Sequence, residues 1–273
     1  MTFGSLAAAA LRRALITALF LVVALVIIAA LWTAGVRILS LDSFGTPTPL
    51  QVWEYWVDGP EAATHQAPIL AAMWTTLGHA GIGYVVGTVL GVGLAMLFVL
   101  FPAIERLSLP AVLFVQTVPI LAILPLFILI FGRGLLVTTV ITALTVFFPT
   151  LVWVSHGLRS PASTTFDFFR SLHASAGTVM FRLRVPSAIS GLFVAARLAV
   201  PGAVFGAFVS EWLATGDGLG YMVVTTMQGA DGYTPLWAVV SVTTLMTMVI
   251  YALVEVAESL ALAVYSPEKL LSR

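Results

Sequence analysis

Residues 75–101 read TTLGHAGIGYVVGTVLGVGLAMLFVLF, with no Asp, Glu, Lys or Arg anywhere in the stretch. About 20 apolar residues in helical form cross the hydrocarbon core of a bilayer. The stretch therefore predicts a membrane-spanning helix. Along it Thr75, His79, Gly83, Gly87, Gly91 and Ala95 recur every four residues and share one face. Small side chains at that spacing let helix backbones approach closely, so this face is expected to lie inside a bundle. His79, near the outer end of the face, is expected to hydrogen-bond a neighbouring helix.

Five further stretches read the same way: 14–36, 107–131, 135–155, 187–209 and 236–264. Composition agrees. Of 273 residues, 60% are hydrophobic and 9% charged, against about 25% charged in a soluble domain. So few charges cannot cover a water-soluble body of this size, which excludes an ordinary cytoplasmic enzyme. The net charge of zero offers no field to a polyanion, so no nucleic acid is expected as a partner. Zero cysteines exclude disulfides and thiolate chemistry. The four histidines lack metal-ligand spacing, and neither a catalytic nor a metal site is expected. The expected architecture is all-α: a polytopic membrane protein of six transmembrane helices, forming a single transmembrane domain over 1–273.

Basic residues in short loops favour the cytoplasmic side. With the N-terminus inside, Arg12, Arg13, Arg106, Arg159, Arg170, Arg182, Arg184, Lys269 and Arg273 fall there; only Arg37 and Arg133 fall outside. Asp42, Glu54, Asp58, Glu61, Asp217 and Asp231 all fall outside, and most tryptophans lie near the outer interface. Both termini are expected in the cytoplasm. The long connections are 37–67 and 216–233 outside, and 156–186 inside.

Three intramembrane features ask for a reason. Pro119 and Pro125 interrupt the hydrogen-bond ladder of the third span, predicting a kinked helix. Arg197 is the one basic residue deep in a span, where burial without a partner is costly. Glu211 lies on a similar face about 21 Å further along a helix, too far for a direct pair. Pro119, Arg197 and Glu211 are the candidates for a translocation path; for Arg197 a structural bond and a gating role both remain open.

In the inner connection Phe166, Phe169, Leu172 and Ala176 recur at helical spacing, an amphipathic pattern. Pro161 suits the first turn of such a helix. An apolar stripe offered to the cytoplasm suits a partner groove or the inner surface of the bundle itself.

At this loop the chain resembles the membrane subunits of bacterial ABC importers. That family carries Glu-Ala-Ala, a glycine six residues after the Glu, and a Leu-Pro whose proline falls thirteen after the glycine. Asp167 stands at the Glu position, Phe168 and Phe169 at the alanines, His173 at the glycine, and Val185-Pro186 at the Leu-Pro. The spacing is kept while the identities differ. Thr117 to Gly132, Phe147-Phe-Pro149, Gly157-Leu158, Gly191 to Arg197, and Glu211 followed by Gly218-Leu-Gly-Tyr221 extend the resemblance over about 70–265. They point to the nitrate/sulfonate/taurine-type branch.

The resemblance implies a type I importer fold with a cytoplasmic coupling helix built from Phe166, Asp167, Phe168, Phe169, Arg170, Leu172, His173, Ala174 and Ser175. It implies two ATPase subunits beneath, a second permease subunit, identical or homologous, and an extracytoplasmic binding protein delivering a small solute. Membrane lipid surrounds the spans, and the location is the bacterial inner membrane. The chain has no Gly-rich phosphate loop followed by Lys-Ser/Thr. ATP and Mg therefore belong to the partner ATPase, and no cofactor is expected on this chain. Phenylalanines in place of alanines imply an enlarged ATPase cleft or pairing with a more regular second permease. A passive channel or secondary transporter would call for several intramembrane carboxylates or an internal repeat, and neither is evident. An intramembrane enzyme would need a nucleophile or metal set within the spans.

Overall fold

A computed structural model describes residues 3–41, 45–227 and 233–265, with the side chains of 3–15, 17, 18 and 262–265 excepted. Asp42, Asp231, Lys269 and Arg273, and the side chains of Arg12 and Arg13, lie outside the described set. The described residues are helical with no strand: α1 (Phe3–Ile38), α2 (Pro49–Trp53), α3 (Ala62–Leu100), α4 (Pro102–Thr117), α5 (Ile120–Phe131), α6 (Leu135–Leu158), α7 (Ser163–Ser171), α8 (Ala176–Val179), α9 (Val185–Ser210), α10 (Gly218–Met227) and α11 (Thr234–Tyr265). Three π-helical turns, Glu54–Asp58, Met180–Arg184 and Glu211–Thr215, continue α2, α8 and α9. Five helices are long and apolar enough to span a membrane, and α4 with α5 makes a sixth when taken as one bent span. The architecture is that of a polytopic all-α membrane protein.

The third span departs from expectation. A single kinked helix over 107–131 was expected; α4 and α5 are separate and meet at 104°. The break falls at Val118–Pro119, where both residues are extended with ψ 124° and 121°. Pro119 has no N–H to continue α4 and disfavours helix in the residue before it. Pro125, by contrast, lies inside α5 without ending it.

Two other expectations shift. α3 begins at Ala62, well before the expected start at 75, and its 39 residues run about 58 Å, longer than the hydrocarbon core. The segment Leu219-Gly220-Tyr221-Met222, expected as part of an outer loop, is helical in α10, with Leu219 and Gly220 buried.

Contacts divide the chain into two units, residues 1–79 with 207–273, and residues 80–206. In the first, α1 lies against α11 and Trp32 meets Trp237 at 4.6 Å between ring centroids. Leu19, Phe20, Val26 and Leu31 of α1 remain exposed, as suits a helix facing lipid.

The second unit is organised around α6. Val137, Ile141, Val146, Leu151, Val154 and Leu158 are buried along it. The glycines of α3 are the reason α6 fits so closely. A Cβ at Gly83 would run into Thr142, one at Gly87 would stand 2.5 Å from Ala143 O, and one at Gly91 would stand 2.8 Å from Thr150 Cβ. The expected packing face is thus a backbone-to-backbone seam. α9 closes on α6 in the same way, since a Cβ at Gly191 would stand 2.6 Å from Trp153 O and one at Gly206 2.9 Å from Thr142 Cα. Hydrogen bonds fix the register: Thr145 Oγ1 donates to Gly202 O at 2.8 Å, and Tyr84 OH donates to Ala196 O at 3.1 Å. At one end of the unit Ala95 and Phe98 of α3 join Leu151, Val154, Leu158, Met180 and Ala188 in one apolar cluster.

Candidate functional site

Two places hold the residues singled out in the sequence: the 156–186 connection, and the surroundings of Glu211.

The connection is more sharply divided than periodicity implied. An amphipathic helix through Ala176 was expected, but α7 stops at Ser171. The reason lies in its last turn. His173 N–H donates to Arg170 O at 2.9 Å, and Ala174 N–H donates to Phe169 O at 3.1 Å. These are the paired 5→2 and 6→1 bonds of a Schellman motif. The motif needs a left-handed residue after the cap, and His173 supplies it at φ 52°. His173 therefore takes the conformation for which the family uses glycine. Ser175 then caps α8, its Oγ accepting from Thr178 N–H at 3.2 Å. Pro161 precedes the cap residue Ala162 instead of lying in the first turn.

A left-handed histidine carries a cost of order 1 kcal/mol that glycine avoids. His173→Gly is expected to raise the thermal midpoint slightly, and His173→Val, with a branched Cβ, to lower it. Differential scanning fluorimetry in detergent reads both.

The apolar side chains of α7 divide between two environments. Phe166 and Phe169 are half-buried, whereas Phe168 and Leu172 are 60% and 61% exposed. The surface free for a partner is thus Phe168 with Leu172. Asp167 and Arg170 form an ion pair at 3.5 Å with both side chains well exposed, which contributes little.

Glu211 has no solvent exposure. It opens the π-helical turn after α9, and its carboxylate is fully engaged. Oε2 accepts from Thr76 Oγ1 at 2.7 Å and from Gly220 N–H at 3.0 Å. Oε1 lies 2.8 Å from His79 Nδ1. Thr76 Oγ1 in turn accepts from Leu219 N–H at 2.8 Å. One carboxylate thereby ties α3 to the first turn of α10. Gly218 makes room for it with φ 80°, and a Cβ there would overlap the carboxyl group. The glycine is required twice over, for the left-handed backbone and for the space. His79 meets its expectation of a bond to a neighbouring element. The role of Thr76 was missed, because it stands one residue off the four-step face; the spacing from Glu211 to Gly218-Leu-Gly was the only signal of the network.

Arg197 is half-buried on α9, and Pro119 is exposed at the break between α4 and α5. Pro119 and Arg197 lie in the second unit and Glu211 in the first.

Residues 66–260 match the family described as binding-protein-dependent transport system inner membrane component. The chain belongs to that family. It is an ABC importer permease subunit, a transport component and not a member of a catalytic family. The permease is 30% identical over 204 residues to the formylaminopyrimidine transport permease protein ThiX of Halalkalibacterium halodurans, covering 74% of this chain and 78% of that one. It is 27% identical over 194 residues to a probable ABC transporter permease protein of Haemophilus influenzae, covering 71% and 77%. It is also 27% identical over 206 residues to the putative aliphatic sulfonates transport permease protein SsuC of Bacillus subtilis, covering 74% and 72%. The matched region takes in α3 to α10 and most of α11, with both the α7 connection and the Glu211 network.

Proposed function

We propose that this permease moves a small solute inward across the bacterial cytoplasmic membrane, driven by ATP hydrolysis on a separate subunit docked at α7. The observation that carries the reading is the short helix with Phe168 and Leu172 exposed, ended by a Schellman turn at His173. Two large apolar side chains exposed on a nine-residue helix and its cap residue are characteristic of a surface that a partner covers. Two ATPase subunits carrying ATP and Mg would seat Phe166 to Ser175, a second permease copy would complete the path, and a binding protein would deliver solute outside. Both termini are cytoplasmic in this reading, on the basic-residue bias. Pro119 and Arg197 remain path positions, while Glu211, with its carboxylate fully bonded, acts as a tie between elements.

Two relatives are named for the transport of formylaminopyrimidine and of aliphatic sulfonates. Compounds that different select no single solute for this chain, and ligand binding by the cognate binding protein is the measurement that does.

The docking reading is tested by Phe168→Asp. The substitution is expected to leave the fold intact, since Phe168 is 60% exposed, but places an unpaired carboxylate in the partner cleft. ATPase co-purified per permease is expected to fall about tenfold or more. Unchanged recovery would refute docking through this helix. A passive channel or secondary transporter would yield no co-purifying ATPase at all.

A further inference from the structure

α7 is poorly equipped to hold its own place. It has nine residues, and its cap residue Ala162 makes no side-chain bond to its first turn. Isolated helices shorter than about 12–15 residues are marginal in water. Backbone alone therefore does not fix α7 against the bundle.

One side chain in the loop to which the resemblance assigns no role makes that contact. Arg184 closes the π-helical turn that leads into α9 and is half-buried. Its Nη1 donates to Leu158 O, the last residue of α6, at 3.1 Å. Its guanidinium carbon lies 4.7 Å from the centroid of the Phe166 ring on α7. A planar cation can bond a carbonyl in its own plane and stack on a ring with its face at once. Leu158 O is one of the carbonyls that a helix C-terminus leaves unpaired, and a cation there is favoured by the helix dipole. The next residue, Arg159, extends the tie by pairing with Glu105 of α4 at 2.6 Å. α7, α6, α9 and α4 thus meet through two arginines.

Resting on the docking reading above, we propose that Arg184 is a positioning residue that transmits displacement of α7 to the end of α6. A push on α7 reaches α6 through Phe166 and the guanidinium, not through the four-residue connection 159–162. Without Arg184, α7 would still meet the ATPase through Phe168 and Leu172, but its movement would lose the side-chain contact with the end of α6.

Two measurements test this on the full-length chain. In the permease alone, hydrogen exchange of the 163–171 amides is expected to quicken about tenfold in Arg184→Ala and less in Arg184→Lys. Lysine keeps the carbonyl bond and loses the planar stack. Unchanged exchange in both variants would overturn the brace, whatever α7 docks to. For transmission, the absence of native cysteine allows a single bimane label at Leu136→Cys, at the exposed start of α6. In the complex with the co-purifying ATPase, ATP and vanadate are expected to shift its emission when residue 184 is Arg. The shift should be reduced with Lys and absent with Ala, while ATPase recovery stays constant. A full shift in Arg184→Ala would overturn transmission. No shift with Arg184 in place would count against the docking reading, and the exchange result would still decide the brace.

Discussion

Replacing Glu211 with leucine is expected to cost several kcal/mol, at about 1–3 kcal/mol for each buried hydrogen-bonding group left without its partner. The substitution strands Thr76 Oγ1, Gly220 N–H and His79 Nδ1, which all converge on this one carboxylate. Leucine also leaves the cavity that Gly218 shapes around the carboxyl group without any hydrogen-bonding atom. The informative contrast is Glu211→Gln. Its carbonyl oxygen can take the place of Oε2 and accept from Thr76 and Gly220. Its amide can then donate to His79 Nδ1 when the ring carries its proton on Nε2. Glutamine is therefore expected to retain most of the stability that leucine loses. Thermal unfolding in detergent and accumulation of protein in membranes read the pair; equal losses would mean that charge itself, and not the bonds, holds the network. A path role for Glu211 differs in the transport readout alone: both readings have the Gln variant folding normally, but a path role predicts that its transport fails and a tie predicts that transport is retained.

The second large effect is expected on the seam between α3 and α6. Gly87→Ala adds one methyl, and that methyl would stand 2.5 Å from Ala143 O and 2.8 Å from Val146 Cβ. The nearest obstacle is backbone, which cannot rotate aside. Overpacking of this kind costs about 1–3 kcal/mol, and Gly87→Leu should prevent the helices from seating at all. Gly93 lies on the same helix with nothing within 4 Å of a built Cβ. Gly93→Ala is expected to be neutral or slightly stabilising, because alanine is the better helix former. Unfolding midpoints of the two alanine variants give the comparison, and equal midpoints would refute the seam.

These two sites also mark what could be read in advance. The glycine seam was legible because a helix repeats and its face can be counted from sequence alone. At His173 the resemblance marked a glycine position, and the left-handed turn there came only with the structure. The Glu211 network was not legible, since Thr76 and Glu211 are 135 residues apart and no local period links them. The break at Pro119 was legible as a break, but its angle of 104° was not. Proline removes a bond and leaves the direction of the next helix to packing. The stripe on α7 was carried too far, through Ala176 where the helix ends at Ser171, and its facing stayed open between partner and bundle, because periodicity finds a face without saying what covers it. Arg184, on another element, takes Phe166.

The seam on α3 also constrains how such a sequence can drift. At Gly93 a change meets open space, so variation there can accumulate one residue at a time. At Gly83 and Gly91 a gain in bulk must be matched by a loss on α6, at Thr142 or Thr150, while at Gly87 the backbone of Ala143 admits none. Accepted substitutions along that line would come as compensated pairs across two helices, and unpaired ones would be purged. The two faces of one helix would therefore evolve at different rates, and the slow face is the one turned toward α6.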